Sequence, residues 1–248
     1  MSFESSRRFN LGLQKSDAWD KGRRLANYLE RTLQPAANYH GPIVVAGGYM
    51  RDLAMARVPK DLDIFLDGGC VRSIEHALKI AAAIADLIGH GAKVERILQC
   101  YGRWAKDVDH VVKIAFDTDG QQELLYIGGI PVPFGVDVVI LRRAEMGKAG
   151  YVPSVHLDQG TRHSFLYSCL KRVDLRLNAI GSSAQTTLSA NEWDDDALGS
   201  RLVIQWDRLC DQESQTERID RRILRLQAEK FHGWTVHLEG PGGELTEC

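Results

Sequence analysis

Cysteine is sparse and scattered in this chain. The five cysteines (Cys70, Cys100, Cys169, Cys210 and Cys248) form no Cys-x-x-Cys pair, which argues against a zinc site. Their odd number argues against a secreted disulfide framework. No apolar run reaches the length of a membrane span. Met1 to Asn10 is polar, carries Arg7 and Arg8, and has no apolar segment behind it, so no secretory leader is expected. A basic excess is also missing: 31 Lys and Arg against 33 Asp and Glu give a formal net charge of -2. The overall balance therefore gives no support for nucleic-acid binding, although a local basic patch stays open. The expectation is a soluble protein of a reducing, cytoplasmic compartment with no membrane partner.

What the chain does have is a core. Its 248 residues are 44% hydrophobic, enough for one large domain or two small ones. The most informative stretch is IVVAGGYMRDLAMARVPKDLDIFLDGG, from Ile43 to Gly69. Ile43 to Ala46 reads as a buried strand. The glycine pair Gly47-Gly48 lets backbone approach a ligand closely. A short helix is predicted from about Tyr49 to Arg57, with Pro59 just past its end. Its free N–H groups suit an anion, and Arg51 adds a positive charge in the first turn. Strand character resumes at Asp61-Leu62-Asp63-Ile64. Alternation places Asp61 and Asp63 on one face, with Leu62 and Ile64 packing behind. Two adjacent carboxylates are costly without a cation, and Mg²⁺ with nucleotide phosphates is the usual one. An isolated Asp-x-Asp would read as a hairpin with solvated acids; the whole combination is far more specific.

Gly47-Gly48-Tyr49-Met50-Arg51-Asp52 followed by Lys60-Asp61-Leu62-Asp63 resembles the signature of polymerase-beta-type nucleotidyltransferases. The branch it looks most like is the head domain of class II CCA-adding enzymes and bacterial poly(A) polymerases. The resemblance implies that Asp61 and Asp63 hold two Mg²⁺, and that Gly47, Gly48, Arg51 and Asp52 meet the nucleotide triphosphate.

Elsewhere the chain supplies the frame. Residues 1 to about 15 are polar and expected to be loosely ordered. A helix capped by Asp17 should follow, with Trp19, Leu25, Tyr28, Leu29 and Leu33 on one side and Pro35 ending it. Ile74, Leu78, Ala81, Ala85 and Ile88 form an apolar stripe closed by Gly89. His76 and His90 receive no role. Val111 to Phe116, Glu123 to Ile127 and Gly135 to Leu141 read as strands of a meander that extends the sheet. Asp137 is the lone carboxylate in its apolar run, so it wants a partner. That partner is either a turn backbone or a metal shared with Asp61 and Asp63. Asp107-Val108-Asp109 lacks the glycine turn and reads as a solvated strand entry. Asp194-Asp195-Asp196 reads as an exposed acidic loop, and Glu145 to Gly160 as a loop.

The family resemblance extends further. It implies that Asp137, followed by Arg142 and Arg143, is the third acid of the metal site. Arg172, Asp174, Asn178 and Ala179 match the family's second motif, with Val173 in place of its second arginine. Asp174 and Asn178, at i and i+4, would share a helix or turn face and contact ribose or phosphate. Glu217 to Val236 is predicted to be an amphipathic helix with Arg218, Arg221, Arg222 and Arg225 on a basic face. Glu217 and Arg221 match the spacing of the base-reading motif, with Arg218 where its second acid would stand.

The expected fold is α/β (α+β), a nucleotidyltransferase-type mixed sheet flanked by helices with a short C-terminal helical remnant. The expected divisions are an extension at 1–40, a catalytic core at 41–182 and a neck-like region with tail at 183–248. The resemblance implies NMP transfer from an NTP, ATP or CTP, to an acceptor hydroxyl such as an RNA 3′ end, tRNA included. It covers residues 41 to 236. The RNA-holding body and tail domains of that family have no counterpart here, so a protein partner or homo-oligomer is expected to replace them. Transfer to a protein or small molecule, and a non-catalytic binding or inhibitory role, are the alternatives.

Overall fold

The computed structural model describes residues 3–89, 91–99, 108–115, 125–133, 135–141, 158–205, 213–240 and 242–247. Helix α1 spans Phe3–Ala37, β1 Ile43–Ala46, α2 Gly48–Ala54, β2 Asp61–Asp67 and α3 Ile74–Ile88. Strands β3 (Lys93–Gln99), β4 (Val108–Ala115), β5 (Leu125–Ile127), β6 (Ile130–Val132) and β7 (Gly135–Leu141) follow. Then come α4 (Gln159–Leu170), β8 (Ile180–Ser183), β9 (Thr187–Ser189), α5 (Trp193–Gly199), β10 (Arg201–Gln205), α6 (Glu213–Glu229), β11 (Thr235–Glu239) and β12 (Leu245–Glu247). The class is mixed α/β, as the sequence implies.

Among the described residues the main sheet has seven strands in the order β3-β4-β7-β2-β1-β8-β9. Strand β2 lies at its centre, antiparallel to β1 and parallel to β7. Leu62, Ile64 and Leu66 of β2 point to one face and join the larger core with Leu25, Leu29 and Leu33 of α1 and Ile80 and Ile84 of α3. Phe65 points to the other face, where Val44, Ala46, Val139 and Leu141 pack with Phe165, Leu166 and Cys169 of α4. The β-period of two thus feeds both layers from one strand.

Several expectations are corrected. Helix α1 begins at Phe3 instead of near Asp17, because its first half is tied down. Arg8 pairs with Asp195 at 3.0 Å, Lys15 with Asp194 at 2.6 Å, and Leu11 packs on the core. The helix runs two residues past Pro35, and Asn38 turns the chain out with φ 56°. Of the expected strand Glu123 to Ile127, the described part, Leu125–Ile127, does not extend the main sheet: β5 pairs with β6 in a separate hairpin. The end of the chain adds to α6 a three-stranded sheet, β10-β11-β12.

Asp194-Asp195-Asp196 is not a solvated loop. It forms the first turn of α5, where carboxylates face the helix N-terminus. Asp196 is wholly buried and grips Arg176 through two bonds, Nε to Oδ2 at 2.6 Å and Nη2 to Oδ1 at 2.9 Å. Arg201 adds an ion pair to Oδ1 at 3.2 Å, and Arg176 Nη1 reaches Glu239 at 3.3 Å. Burial pulls the Arg176 pKa down, but the bond to Asp196 and its charge outweigh that and hold the pKa above its ordinary value. Trp193 Nε1 donates to Leu177 O at 2.8 Å, so α5 clamps the turn at Arg176–Asn178.

Removing one partner of such a buried pair leaves a charge without compensation. Asp196→Ala should lower stability by about 3–5 kcal/mol in urea unfolding. Burial of the Cys169 side chain holds its thiol well above the usual range. Cys169 should therefore alkylate only at the rate of global unfolding, whereas half-buried Cys70 reacts in the native state, as peptide-resolved mass spectrometry would read.

Candidate active site

The register of three strands builds the site. Asp63 faces Ala46 across β1 and Asp137 across β7, and Asp61 faces Gly135. Asp61, Asp63 and Asp137 therefore stand on one face at the start of two parallel strands. Asp61 is exposed, and Asp63 and Asp137 are half-buried. This is the face that carries Phe65 and Val139 further along, so the acids sit at the rim of a packed layer.

Two glycines make room for the carboxylates. Gly47 has φ 79° and ψ -141°, a conformation open in practice to glycine alone. A Cβ there would meet Asp63 Oδ2 at 3.3 Å. A side chain at Gly135 would collide with Asp61 Oδ1. Gly47 is locked by its N–H, which donates to Ile180 O at 3.1 Å, and by its carbonyl, which accepts from Arg51 N at 3.0 Å. The predicted helix after Gly48 forms but is short, seven residues.

Arg51 and Asp52 are buried. Arg51 Nε donates to Asp52 Oδ1 at 2.8 Å and Nη1 donates to Asn178 Oδ1 at 2.7 Å. Its guanidinium lies 5.0 Å from the centre of the Phe231 ring. Asp52 also receives Lys230 Nζ, and Arg57 stacks on Phe231 at 4.2 Å. The first and second sequence motifs thus meet through Arg51 and Asn178, although they lie far apart in the chain. A Cβ on Gly48 would be 3.6 Å from Arg51 Nη2, which places this knot directly behind the glycine turn.

The second motif is not helical throughout. Asp174 lies in a bend, Leu175 bridges to Ile204, and Arg176–Asn178 form a 3-10 turn. Asp174 and Asn178 consequently do not share a helix face. Arg172 lies in the turn after α4. Arg221 is exposed on α6, whose last residue, Glu229, pairs with Lys60 at 3.4 Å beside Asp61. Arg142, Arg143, Asp107, His90 and most of Glu145 to Gly160 lie outside the described residues, as do the side chains of Asp109, Glu217, Arg218 and Arg222.

One residue escaped the sequence reading. Lys113 on β4 faces Asp137 in register, and its Nζ lies 2.9 and 2.8 Å from the two carboxylate oxygens. Asp137 thus has a lysine partner that the sequence reading did not weigh. The available signal was Lys113 itself, the one charge in Val111-Val112-Lys113-Ile114-Ala115.

Hard carboxylate oxygens fit Mg²⁺. Asp61 and Asp63 supply such oxygens on one strand face, Asp61 Oδ1 over Gly135 and Asp63 Oδ2 beside Gly47. Asp137 is engaged by Lys113, and no group of three metal-ligating side chains is gathered to hold a metal among the described residues. No described helix is long and apolar enough to cross a membrane.

No protein-family model matches the chain, and no curated protein matches it. Among solved structures it is similar to a CCA-adding enzyme with CTP, at TM-score 0.44 and 14% identity over 86% of this chain and 39% of that one. The Thermotoga maritima CCA-adding enzyme complexed with tRNA gives TM-score 0.42 and 14% identity, over 86% and 38%. A tRNA-processing enzyme complex gives 0.39 and 15%, over 79% and 39%. The chain spans less than two-fifths of the length of these structures.

Gly47→Ala should cost about 1–3 kcal/mol through the left-handed backbone it must adopt. The thermal midpoint should fall accordingly, while Gly129→Ala, at φ 77° with open space around it, shows the cost of a positive φ where no contact adds to it.

Proposed function

We propose that this chain is a metal-dependent nucleotidyltransferase head that moves an NMP from an NTP to an acceptor hydroxyl, with an RNA 3′ end as the acceptor. The observation that carries the reading is the register: Asp63 beside Asp137 on parallel strands, with Asp61 two residues away on the same face and Gly47 against Asp63.

The shared sheet face of the acids supports the roles that the motif resemblance implies. Asp61 and Asp63 are the residues that would hold Mg²⁺. Bound there, the metal would supply charge stabilisation for the attacking oxygen and the leaving pyrophosphate. Gly47 is buried against Asp63 and Gly48 is half-buried, and without side chains at these positions the turn would let a triphosphate approach the acids closely. Arg51, Asp52 and Asn178 fix the glycine turn through a buried hydrogen-bonded knot, and the Arg51 charge lies just behind it. Asp137, in register with Asp63, would receive the proton of the acceptor hydroxyl or ligate metal once its lysine partner moves. Arg172, Asp174 and Arg221 are assigned to nucleotide contact on the motif resemblance, with ATP or CTP as the substrate.

A protein or small-molecule acceptor is the rival chemistry, and the net charge of -2 is what favours it. One experiment separates these readings. Purified protein with Mg²⁺ receives each of four α-labelled NTPs together with total RNA and a cell lysate. Label on RNA that vanishes in Asp61→Ala/Asp63→Ala is the expected outcome. Label on protein or a small molecule reassigns the acceptor. Folded protein that transfers no label with any NTP overturns catalysis and favours a binding role.

A further inference from the structure

Lys113, Asp137 and Asp63 form one row across three neighbouring strands, since β4 pairs with β7 at Lys113–Asp137 and β7 with β2 at Asp137–Asp63. Adjacent strands are spaced by about 4.8 Å. Both Asp137 oxygens lie within 2.9 Å of the ammonium. The flanking residues hold the lysine in this row: Val111 is buried on its own face, and Val112 and Ile114 are buried on the other. The pair is only partly exposed, 27% for Lys113 and 20% for Asp137, so water screens it incompletely.

A divalent cation bridging Asp63 and Asp137 would sit roughly one strand spacing from this ammonium and be repelled by it. Asp61 lies on the far side of Asp63 along β2, and Gly135 opposite it leaves its carboxylate uncrowded. Asp137 therefore already carries a counter-cation within the acid cluster. We propose that Lys113 is the built-in counter-cation of the third acid and sets the metal stoichiometry. Without nucleotide, Asp61 and Asp63 take one divalent cation and Asp137 takes none. This rests on the metal-dependent reading above, and it adds a residue outside the acid motifs that governs how the site loads.

The test is titration of the metal-free full chain with Mn²⁺, followed by electron paramagnetic resonance and calorimetry, with circular dichroism to confirm folding. The wild type should bind one Mn²⁺, lost in Asp61→Asn/Asp63→Asn. Lys113→Met keeps the aliphatic stem and should gain a second Mn²⁺ or bind at least tenfold tighter. Adding Asp137→Asn to Lys113→Met should abolish that gain, and Lys113→Arg should behave as wild type. Unchanged binding in Lys113→Met, with Asp61→Asn/Asp63→Asn still abolishing it, overturns the role of Lys113 and leaves the metal site standing. A wild type that already binds two Mn²⁺, one lost in Asp137→Asn, also overturns it. No Mn²⁺ binding by any variant overturns this proposal and the metal-dependent reading together.

Discussion

The register of β2 between β1 and β7 is the constraint on which this site rests. Pairing Ala46 with Asp63 and Asp63 with Asp137 sets three acids on one face and Leu62, Ile64 and Leu66 on the other. A slip of one residue would turn every side chain over. The acids would then enter the core built by α1 and α3, and three large aliphatic residues would leave it. Burial of those side chains, each worth about 1.5–3 kcal/mol, makes the slip prohibitive. The hydrophobic effect on one face therefore positions the charges on the other.

A second layer of control is polar and buried. Asp196 holds Arg176, the turn at Arg176–Asn178 presents Asn178, Asn178 accepts from Arg51, and Arg51 bonds Asp52, which receives Lys230. The chain of contacts links α5, α2 and the end of α6. Buried charges need partners in good geometry, so each member restrains the next. The glycine turn beside Asp63 is thereby anchored to elements more than a hundred residues away in sequence.

Charge in this protein is arranged locally. The net charge of -2 hides an acid cluster, its lysine, an acidic helix start and an exposed basic stretch at Arg221 and Arg225. Lys113 illustrates the consequence. A cation beside Asp137 offsets the repulsion between neighbouring carboxylates. The same cation competes with any metal that Asp137 would share.

What was readable in the sequence was local. Ile43-Val44-Val45-Ala46, the Gly47-Gly48 turn and the alternation of Asp61, Leu62, Asp63 and Ile64 declare strand, turn and strand, because apolar period and glycine chemistry act over a few residues. The helix closed by Gly89 is legible for the same reason, although its buried face runs through Ala77, Ile80 and Ile84 instead of Ile74 and Leu78. Tertiary structure alone decided the rest. It recruited the polar start of α1, folded Asp194 to Asp196 into a clamp, set β5 and β6 apart as a hairpin and built a sheet from the tail. It also chose Lys113 as the partner of Asp137. Each of these depends on which charge or strand edge a distant element brings near, and no short-range pattern along the chain records that.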